Sequence, residues 1–596
     1  RTGSPPRNIL STQGISYMHL PFLGALPLAD TGRQTAAKDK WFWVAAVGIA
    51  LCAGFWGLNA AGFWGRDEGR YAEIAREMVD SGDWVTPHLL AVKYFEKPPL
   101  LYWLTALSFK AFGLSSFAGR LPAVLSTLLA LIAVGYLGLR FAGSAVGATV
   151  VLVLSTSMLF WGLGRALVTD MVLTGWYTVA LVSLFFAFEE ERPRAGRWMV
   201  LFGVSTALAV LAKGVIGIVL PVGTGVLCAL SYRRLPAASW RATAVALVAF
   251  LAVALPWFVM VSARNSEFLH YFVVDQHFQR FTGGTNEHQK AWWFFPAVLT
   301  GGLLPWTGAL FVRGRKKENH PPGDEGSERV GRLRRYLWLW AGVVVLFFSA
   351  SGCKLAPYVL PAFPALALLI ALNLAGESSE SGAAGRRRAG WVAAVFWTLF
   401  AVAVMAYTRK QADLPAARVM PLAWSMVAVS LAAAVAFAGW SLRRAPLPWI
   451  LLPGATAAVV WLALNGVAAS LEDELGNRTV GLETAKQMQP GDLTALYRCH
   501  EPGFVYYTRQ RPILFEVKNE LEFGMEQQSM GDWYREGDAA FVALMRGPAR
   551  VFCFTDAEQY EGAKKRYSPL YPVAFSLKRV VFSNRPAPTA AEGARP

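Results

Sequence analysis

The stretch "LLYWLTALSFKAFG", residues 100–113, decides the fold. It is apolar, yet it is short, follows Pro98-Pro99 and carries Lys110. A membrane-crossing helix needs about 20 apolar residues, so this segment is read as lying in the interface. Longer apolar runs fall near 41–63, 118–140, 144–163, 169–189, 197–212, 214–232, 241–262, 293–312, 335–351, 355–375, 389–407, 418–440 and 447–470. With residues 100–113 left out, alternate loops carry Arg140; Arg192, Arg194 and Arg197; Arg233, Arg234 and Arg241; Arg313 to Arg335; Arg386 to Arg388; and Arg443 with Arg444. Cytoplasmic loops are enriched in Lys and Arg. Counting 100–113 as a span would put every one of these loops on the wrong side.

The expected fold is therefore an all-α polytopic membrane protein of about 13 transmembrane helices with a C-terminal α/β domain outside. Composition agrees: of 596 residues 54% are hydrophobic and only 16% charged, against about a quarter charged in soluble domains. The net charge of +17 is spent on orienting loops, and no nucleic-acid footprint is inferred. Residues 1–40 lack an initial Met and are read as a tag or disordered tail with a cytoplasmic N-terminus. Residues 41–470 form the transmembrane catalytic domain, with 64–117 as its first external loop, and 471–596 form a soluble external domain. In that last part "PILFEV" and "RVFCFT" read as strands and "VGLETAKQM" as a helix. Of the five cysteines, Cys52, Cys228 and Cys353 read as core residues, and Cys499 with Cys553 as a candidate disulfide in an oxidising compartment.

Ionisable residues at span ends default to a functional reading, and here they collect on the external side. "FWGRDEGRYAEIAREM" places Asp67, Glu68 and Arg70 directly after the first span, where helix capping is the plain alternative. Asp170 opens a later span and could equally be a cap. Glu96 and Lys97 precede two prolines that stiffen the loop. Lys97, Lys213 and Lys354 all stand at external ends of apolar segments. One such lysine usually snorkels to the surface; three, with Arg70 and Arg280, suit a lipid phosphate. The stretch "FLHYFVVDQHFQRF" and its continuation hold His270, Asp275, His277 and His288. They read either as a polar face of an interfacial helix or as ligands of one divalent ion, with His277 and Glu96 the candidates.

Six ordered blocks carry a resemblance: "FWGRDEGRYAEIAREM", "YFEKPPLLYWLTALSFKAFG", "FAGRLPAVLS", "ALVTDMVLTGW", "LAKGVIGIVLP" and "CKLAPYVLPAFPALALL". Together they are similar to the protein O-mannosyltransferase-like branch of the GT-C glycosyltransferases, and within it to the bacterial lipid A aminoarabinose transferases. The likeness covers about residues 40 to 375. It implies a GT-C fold, a first periplasmic loop of juxtamembrane helices and an inverting pentosyl transfer in the bacterial inner membrane. The implied donor is 4-amino-4-deoxy-L-arabinose on undecaprenyl phosphate and the implied acceptor a lipid A phosphate, so that negative charge is masked and polymyxin and cationic peptides are resisted. By position it makes Asp67, Asp170 and Glu96 catalytic. It makes Lys97, Lys354 and Tyr358 substrate-binding, and Arg70, Lys213 and Arg280 join them as the external cations that suit a lipid phosphate. Ala356 shifts Pro357 by one position before Tyr358. A monomer is expected, with membrane lipids and these two lipid substrates as partners. Two other functions stay open: a polyprenyl-phosphate-sugar transferase acting on protein Ser/Thr or another glycan, and a lipid-linked sugar flippase, although no internal repeat of the transporter kind is visible.

Overall fold

The computed structural model describes residues 33–282, 289–311, 325–375, 380–410, 416–442 and 450–586. Nine helices among them are long and apolar enough to cross a membrane, and a tenth arises if one bent pair is taken together. In chain order the first part contains α1 (Arg33–Phe55), α2 (Gly65–Ser81), α3 (Leu100–Phe112), α4 (Ser116–Ala142), α5 (Ser144–Thr156), α6 (Met158–Gly164), α7 (Thr169–Glu189), α8 (Arg194–Lys213), α9 (Ile216–Tyr232) and α10 (Trp240–Arg264). Later helical segments run on to Leu451–Ser470, the last candidate span. Of the thirteen expected spans, the first has a helix that stops at Phe55, short of residue 63; it and Ile216–Tyr232 are shorter apolar helices, and two further segments are not straight. The segment 144–163 bends by 72° between α5 and α6. Ser155, Thr156 and Ser157 turn their hydroxyls back onto the carbonyls of Leu152 and Val153, competing with the helical ladder. Trp461 then donates its indole N–H to the freed Thr156 carbonyl at 2.8 Å. The segment 293–312 is two short helices, Phe294–Gly302 and Thr307–Leu310, interrupted at Pro305.

Three of the basic loops assigned to one side do meet. Glu189, at the end of α7, pairs with Arg234 beyond α9 and with Arg332 on the helix Glu325–Ala350. Asp170 is at the opposite end of α7. Twenty-one residues at 1.5 Å each put the two carboxylates about 30 Å apart, the thickness of a bilayer core.

Beyond that end lies a second layer. α2 takes Asp67 and Glu68 in its first turn, where acids complement the helix dipole, and stops at Gly82, left-handed at φ 72°, whose N–H reaches the Met78 carbonyl. β1 (His88–Leu89) and β2 (Val92–Lys93) form a small hairpin. α3 buries Leu101, Tyr102, Thr105, Ala106 and Phe109 and ends at Gly113. The C-terminal part is a sheet of β3 (Leu493–Tyr497), β4 (Pro512–Phe515), β5 (Tyr534–Arg535), β6 (Val551–Asp556), β7 (Tyr571–Phe575) and β8 (Arg579–Ser583), in the order β5-β4-β3-β6-β8-β7. β5, β4, β3 and β6 are parallel; β8 and β7 are antiparallel additions.

Alternation along those strands builds two cores. Ala495, Tyr497, Ile513, Phe515 and Cys553 share one with Phe541 and Tyr560, on the helices Asp538–Arg546 and Ala557–Tyr567. Leu496, Leu514, Phe552, Phe554 and Val581 join another with Tyr71, Ile74, Ala75, Leu101 and Tyr102. The first external loop and the C-terminal sheet thus have a common interior. Backbone touches backbone there: a Cβ on Gly69 would lie 2.7 Å from the Gly503 nitrogen. The expected Cys499–Cys553 bridge is not formed; both thiols are buried and free, and Cys499 donates to the Phe554 carbonyl at 3.4 Å. Burial pushes the Cys499 thiol up to about 12. Cys228 and Cys353 are buried as expected, whereas Cys52 is exposed.

One ion pair ties the two layers. Glu68 is 5% exposed and Arg120 on α4 is 7% exposed. Arg120 donates to Glu68 through Nε at 2.9 Å and Nη2 at 2.7 Å, and its remaining N–H groups reach the carbonyls of Leu58, Ala61 and Gly62. Glu68 also accepts from the backbone N–H of Trp64 and of Leu167, each at 2.8 Å.

Two outcomes follow for stability. Gly69→Val, which forces overpacking against the Gly503 backbone, lowers unfolding free energy by about 1–3 kcal/mol and speeds proteolytic release of the sheet domain. Glu68→Gln leaves the Arg120 charge buried and uncompensated; thermal unfolding in detergent should report a loss of about 3–5 kcal/mol. An unchanged midpoint would show that the pair does not hold the layers together.

Candidate active site

The acids of the first loop differ in kind. Glu68 is consumed by structure, whereas the Asp67 side chain is 65% exposed and pairs with Arg70 one turn on. Arg70 is buried, and its other terminal nitrogen pairs with Glu520 from the C-terminal part. Its guanidinium sits 5.0 Å from the Tyr71 ring centroid and 5.9 Å from that of Tyr94, an arrangement in which ring faces favour a cation. Its Nε has no hydrogen-bond partner, and the same holds for the buried hydroxyls of Tyr94 and Tyr102.

Glu96 is buried beside these groups. Lys97 donates to the Glu96 carbonyl at 3.1 Å, with its ammonium 3.7 Å from the Glu96 carboxylate. On the next side, Lys213 at the end of α8 pairs with Asp170 in the first turn of α7, and its ammonium stands 4.6 Å from the centroid of the Tyr358 ring. Tyr358 has its hydroxyl 3.7 Å from the Cys353 sulfur. Lys354 donates to the Ser351 carbonyl at 2.7 Å and is in no ion pair among the described residues. The two groups of charges meet at Tyr71: burial raises its phenol well above the ordinary range, Arg70 opposes that, and the negative charges of Asp67, Asp170 and Glu96 reinforce it. Asp67, Arg70, Glu96, Lys97, Asp170, Lys213 and Tyr358 are thereby drawn toward one region, with Lys354 in the segment that carries Tyr358.

His277 has a different job. Its Nδ1 is 2.6 Å from the Phe272 carbonyl, and its Nε2 accepts the Val215 N–H at 3.3 Å; the Nδ1–H tautomer satisfies both. The ring covers the turn after Lys213, where Gly214 has φ 78° and a Cβ would collide with the imidazole. The two ring nitrogens that could bind a cation are thus engaged with backbone. Among the described residues no three His, Cys, Asp or Glu side chains are grouped to hold a metal ion. Arg280 has its backbone in a short helical turn, but its side chain, like His288, lies outside the described residues.

Sequence reasoning missed the C-terminal contribution. His500 follows β3 and Glu520 follows β4, both beyond the carboxyl ends of parallel strands, where open α/β sheets place ligand-binding groups. His500 is 3% exposed; its Nε2 is 4.0 Å from the Glu520 carboxylate, and neither ring nitrogen has a hydrogen-bond partner. Burial, then Arg70 and Arg66, lowers its pKa to about 4, with Glu96 opposing. The signal available was "YRCHEPG", residues 497–503, an adjacent His and Glu between a strand and a helix.

A cluster of cations held against carboxylates at the external ends of spans suits an anionic lipid head group. Known proteins agree. Residues 63–272 match the family described as dolichyl-phosphate-mannose-protein mannosyltransferase. The undecaprenyl phosphate-alpha-4-amino-4-deoxy-L-arabinose arabinosyl transferase of Pectobacterium carotovorum is 31% identical over 512 residues, covering 82% of this chain and 87% of that protein. The Aeromonas salmonicida enzyme of the same name is 29% identical, covering 85% and 92%. The crystal structure of ArnT from Cupriavidus metallidurans bound to undecaprenyl phosphate superposes with a TM-score of 0.75 at 26% identity, covering 92% of this chain and 98% of that one. The protein is a multi-pass membrane glycosyltransferase, and it belongs to the family of undecaprenyl phosphate-aminoarabinose arabinosyl transferases.

Proposed function

We propose that this protein moves 4-amino-4-deoxy-L-arabinose from undecaprenyl phosphate to a lipid A phosphate, at the periplasmic face of the bacterial inner membrane. The observation that carries the reading is the convergence of Arg70 and Lys213, each paired with a carboxylate, around Tyr71. A polyprenyl phosphate needs cations on its phosphate, and an amino sugar needs carboxylates on its ammonium. The basic loops gathered at Glu189, on the far end of α7, support an external site.

The reaction breaks the bond from the sugar C1 to the donor phosphate oxygen and forms one from C1 to an oxygen of the acceptor phosphate. The electron pair leaves with undecaprenyl phosphate. An ionised acceptor phosphate needs no strong base, so stabilising charge on the leaving phosphate is the larger task. Arg70, Lys97, Lys213 and Lys354 hold that charge, and Tyr358 donates a hydrogen bond to it. Asp67, the exposed acid, orients the acceptor or the sugar amine; Asp170 holds Lys213 in place, and Glu96 does the same for Lys97. Attack opposite the phosphate inverts C1. The product carries a new ammonium on lipid A, which lowers the negative charge that polymyxin and cationic peptides recognise. Loading of a divalent ion between Glu96 and His277 would require His277 to release the Val215 N–H, and elemental analysis of active protein tests it.

Mass spectrometry of lipid A should show an aminopentose added in cells with the wild-type protein. With Asp67→Asn the adduct should fall by at least about a hundredfold, the order expected when an electrostatic partner of the reacting groups is lost, at equal levels of folded protein. Unaltered lipid A with loss of glycosylated protein would instead assign the transfer to protein acceptors. His500 supplies a pH test. Its folded pKa of about 4 lies below the ordinary 6.5, so the unfolded chain binds the proton first and stability is lost as pH falls from 6.5 toward 4. Relative to His500→Gln, the wild type should lose about 3 kcal/mol across that window; parallel curves would place His500 in contact with water.

A further inference from the structure

A cavity of about 170 Å³ shares no lining residue with the cluster around Tyr71. It is formed where the turn into α4 faces two helices of the C-terminal part, Arg478–Gln487 and Pro502–Thr508. Arg478, Arg509, Tyr506, Tyr507, Ser115 and Asn59 line it. We infer that this cavity binds the phosphate of an anionic membrane lipid, separately from the lipid substrates proposed above.

Three observations converge. Among the described residues neither the Arg478 nor the Arg509 guanidinium is in an ion pair; the Arg478 guanidinium donates to the Asn59 carbonyl at 3.3 Å, only its backbone N–H meets a carboxylate, that of Glu472 at 3.2 Å, and no Asp or Glu lines the cavity. Two guanidiniums facing one cavity without an acid leave a place for an anion. Tyr506 is 4% exposed and its hydroxyl has no hydrogen-bond partner, an omission that buried polar groups rarely show and that calls for an acceptor. A phosphate oxygen supplies one. The cavity also faces the amino end of α4, a 27-residue helix, whose dipole favours negative charge.

The surroundings select a lipid over a free anion. Leu482 lines the cavity and is exposed, and Trp56 and Phe112, three and two residues from the lining Asn59 and Leu114, are 69% and 60% exposed. Indole and phenyl rings beside cations are the composition of a membrane interface. A lipid sets its phosphate on the arginines and its acyl chains along these rings, bridging the membrane-spanning region and the C-terminal sheet domain at one point.

The test uses full-length protein in detergent, loaded with equal amounts of phosphatidylglycerol and phosphatidylcholine and examined by native mass spectrometry. Wild type should retain phosphatidylglycerol preferentially, and R478Q/R509Q should retain roughly tenfold less, the effect of losing charge-assisted bonds. Tyr506→Phe, a milder change that keeps the ring packing, should weaken retention severalfold and carries the test if the double variant fails to fold. Equal retention by wild type and variants overturns the proposal. Displacement of the lipid by inorganic phosphate at the same concentration overturns the lipid assignment. Asp67→Asn, which disables the proposed transfer, should retain the lipid as wild type does, so the two readings fail independently.

Discussion

The bidentate pair of Glu68 and Arg120 fixes where the rest of the external machinery can be. Two charges removed from water cost several kcal/mol each unless their lone pairs and protons are filled. Here they are filled by the chain itself. Arg120 closes the carbonyls of residues 58, 61 and 62, and Glu68 closes the amides of Trp64 and Leu167. A similar device stands next to it: Arg165 takes the carbonyls of Ala53 and Trp56, which a helix end leaves without partners. The first span can therefore stop at the membrane surface and turn into an irregular loop without leaving bare backbone. Asp67 is the residue beside Glu68, and Asp170 is three residues beyond Leu167. Two of the three acids of the candidate site, Asp67 and Asp170, are thus placed by the same pair.

That placement would fail without the C-terminal sheet. α2 is amphipathic, and one of its faces needs a cover. The sheet supplies it through Leu496, Leu514, Phe552 and Phe554, and the close approach at Gly69 and Gly503 sets the distance. Once the sheet is there, the carboxyl ends of β3 and β4 bring His500 and Glu520 to Arg70. The soluble part is then a wall of the candidate site, not an appendage joined by a linker. It also explains why Arg70 can be buried: one carboxylate comes from its own helix and the other from residue 520.

The architecture was legible in the sequence because it follows from length and charge. A 30 Å apolar thickness and a positive-inside bias are properties of the bilayer, and they show in any chain that crosses it. The interfacial reading of residues 100–113 rested on a short amphipathic run interrupted by Lys110, and α3 has thirteen residues. What stayed hidden depends on partners distant in sequence. Asp67 and Glu68 are adjacent and chemically alike, and only Arg120 and Leu167 distinguish them. The break at Ser157 depends on Trp461 receiving the freed carbonyl. Cys499 and Cys553 share a compartment but sit in strand and turn positions that bury each thiol separately. His500 and Glu520 carry no motif, since their role arises from strand order.

Apart from Lys354, the cations of the cluster are already paired with carboxylates, and this bears on how a lipid-linked amino sugar is handled. A lone buried cation would be costly, whereas Arg70 is held by Asp67 and Lys213 by Asp170. A donor of the proposed kind brings both signs, a phosphate and an ammonium. Its phosphate can take the cations only as their carboxylates give way, and its ammonium offers those carboxylates a new partner. The number of ion pairs is then conserved through binding, so the desolvation cost of each charge is met before the substrate arrives. A neutral sugar on the same carrier would strand the Asp170 carboxylate, whose side chain is 14% exposed, at a greater cost than a missing methylene, whereas Asp67, 65% exposed, would be met by water. Selection for an amino sugar follows from the pairing itself.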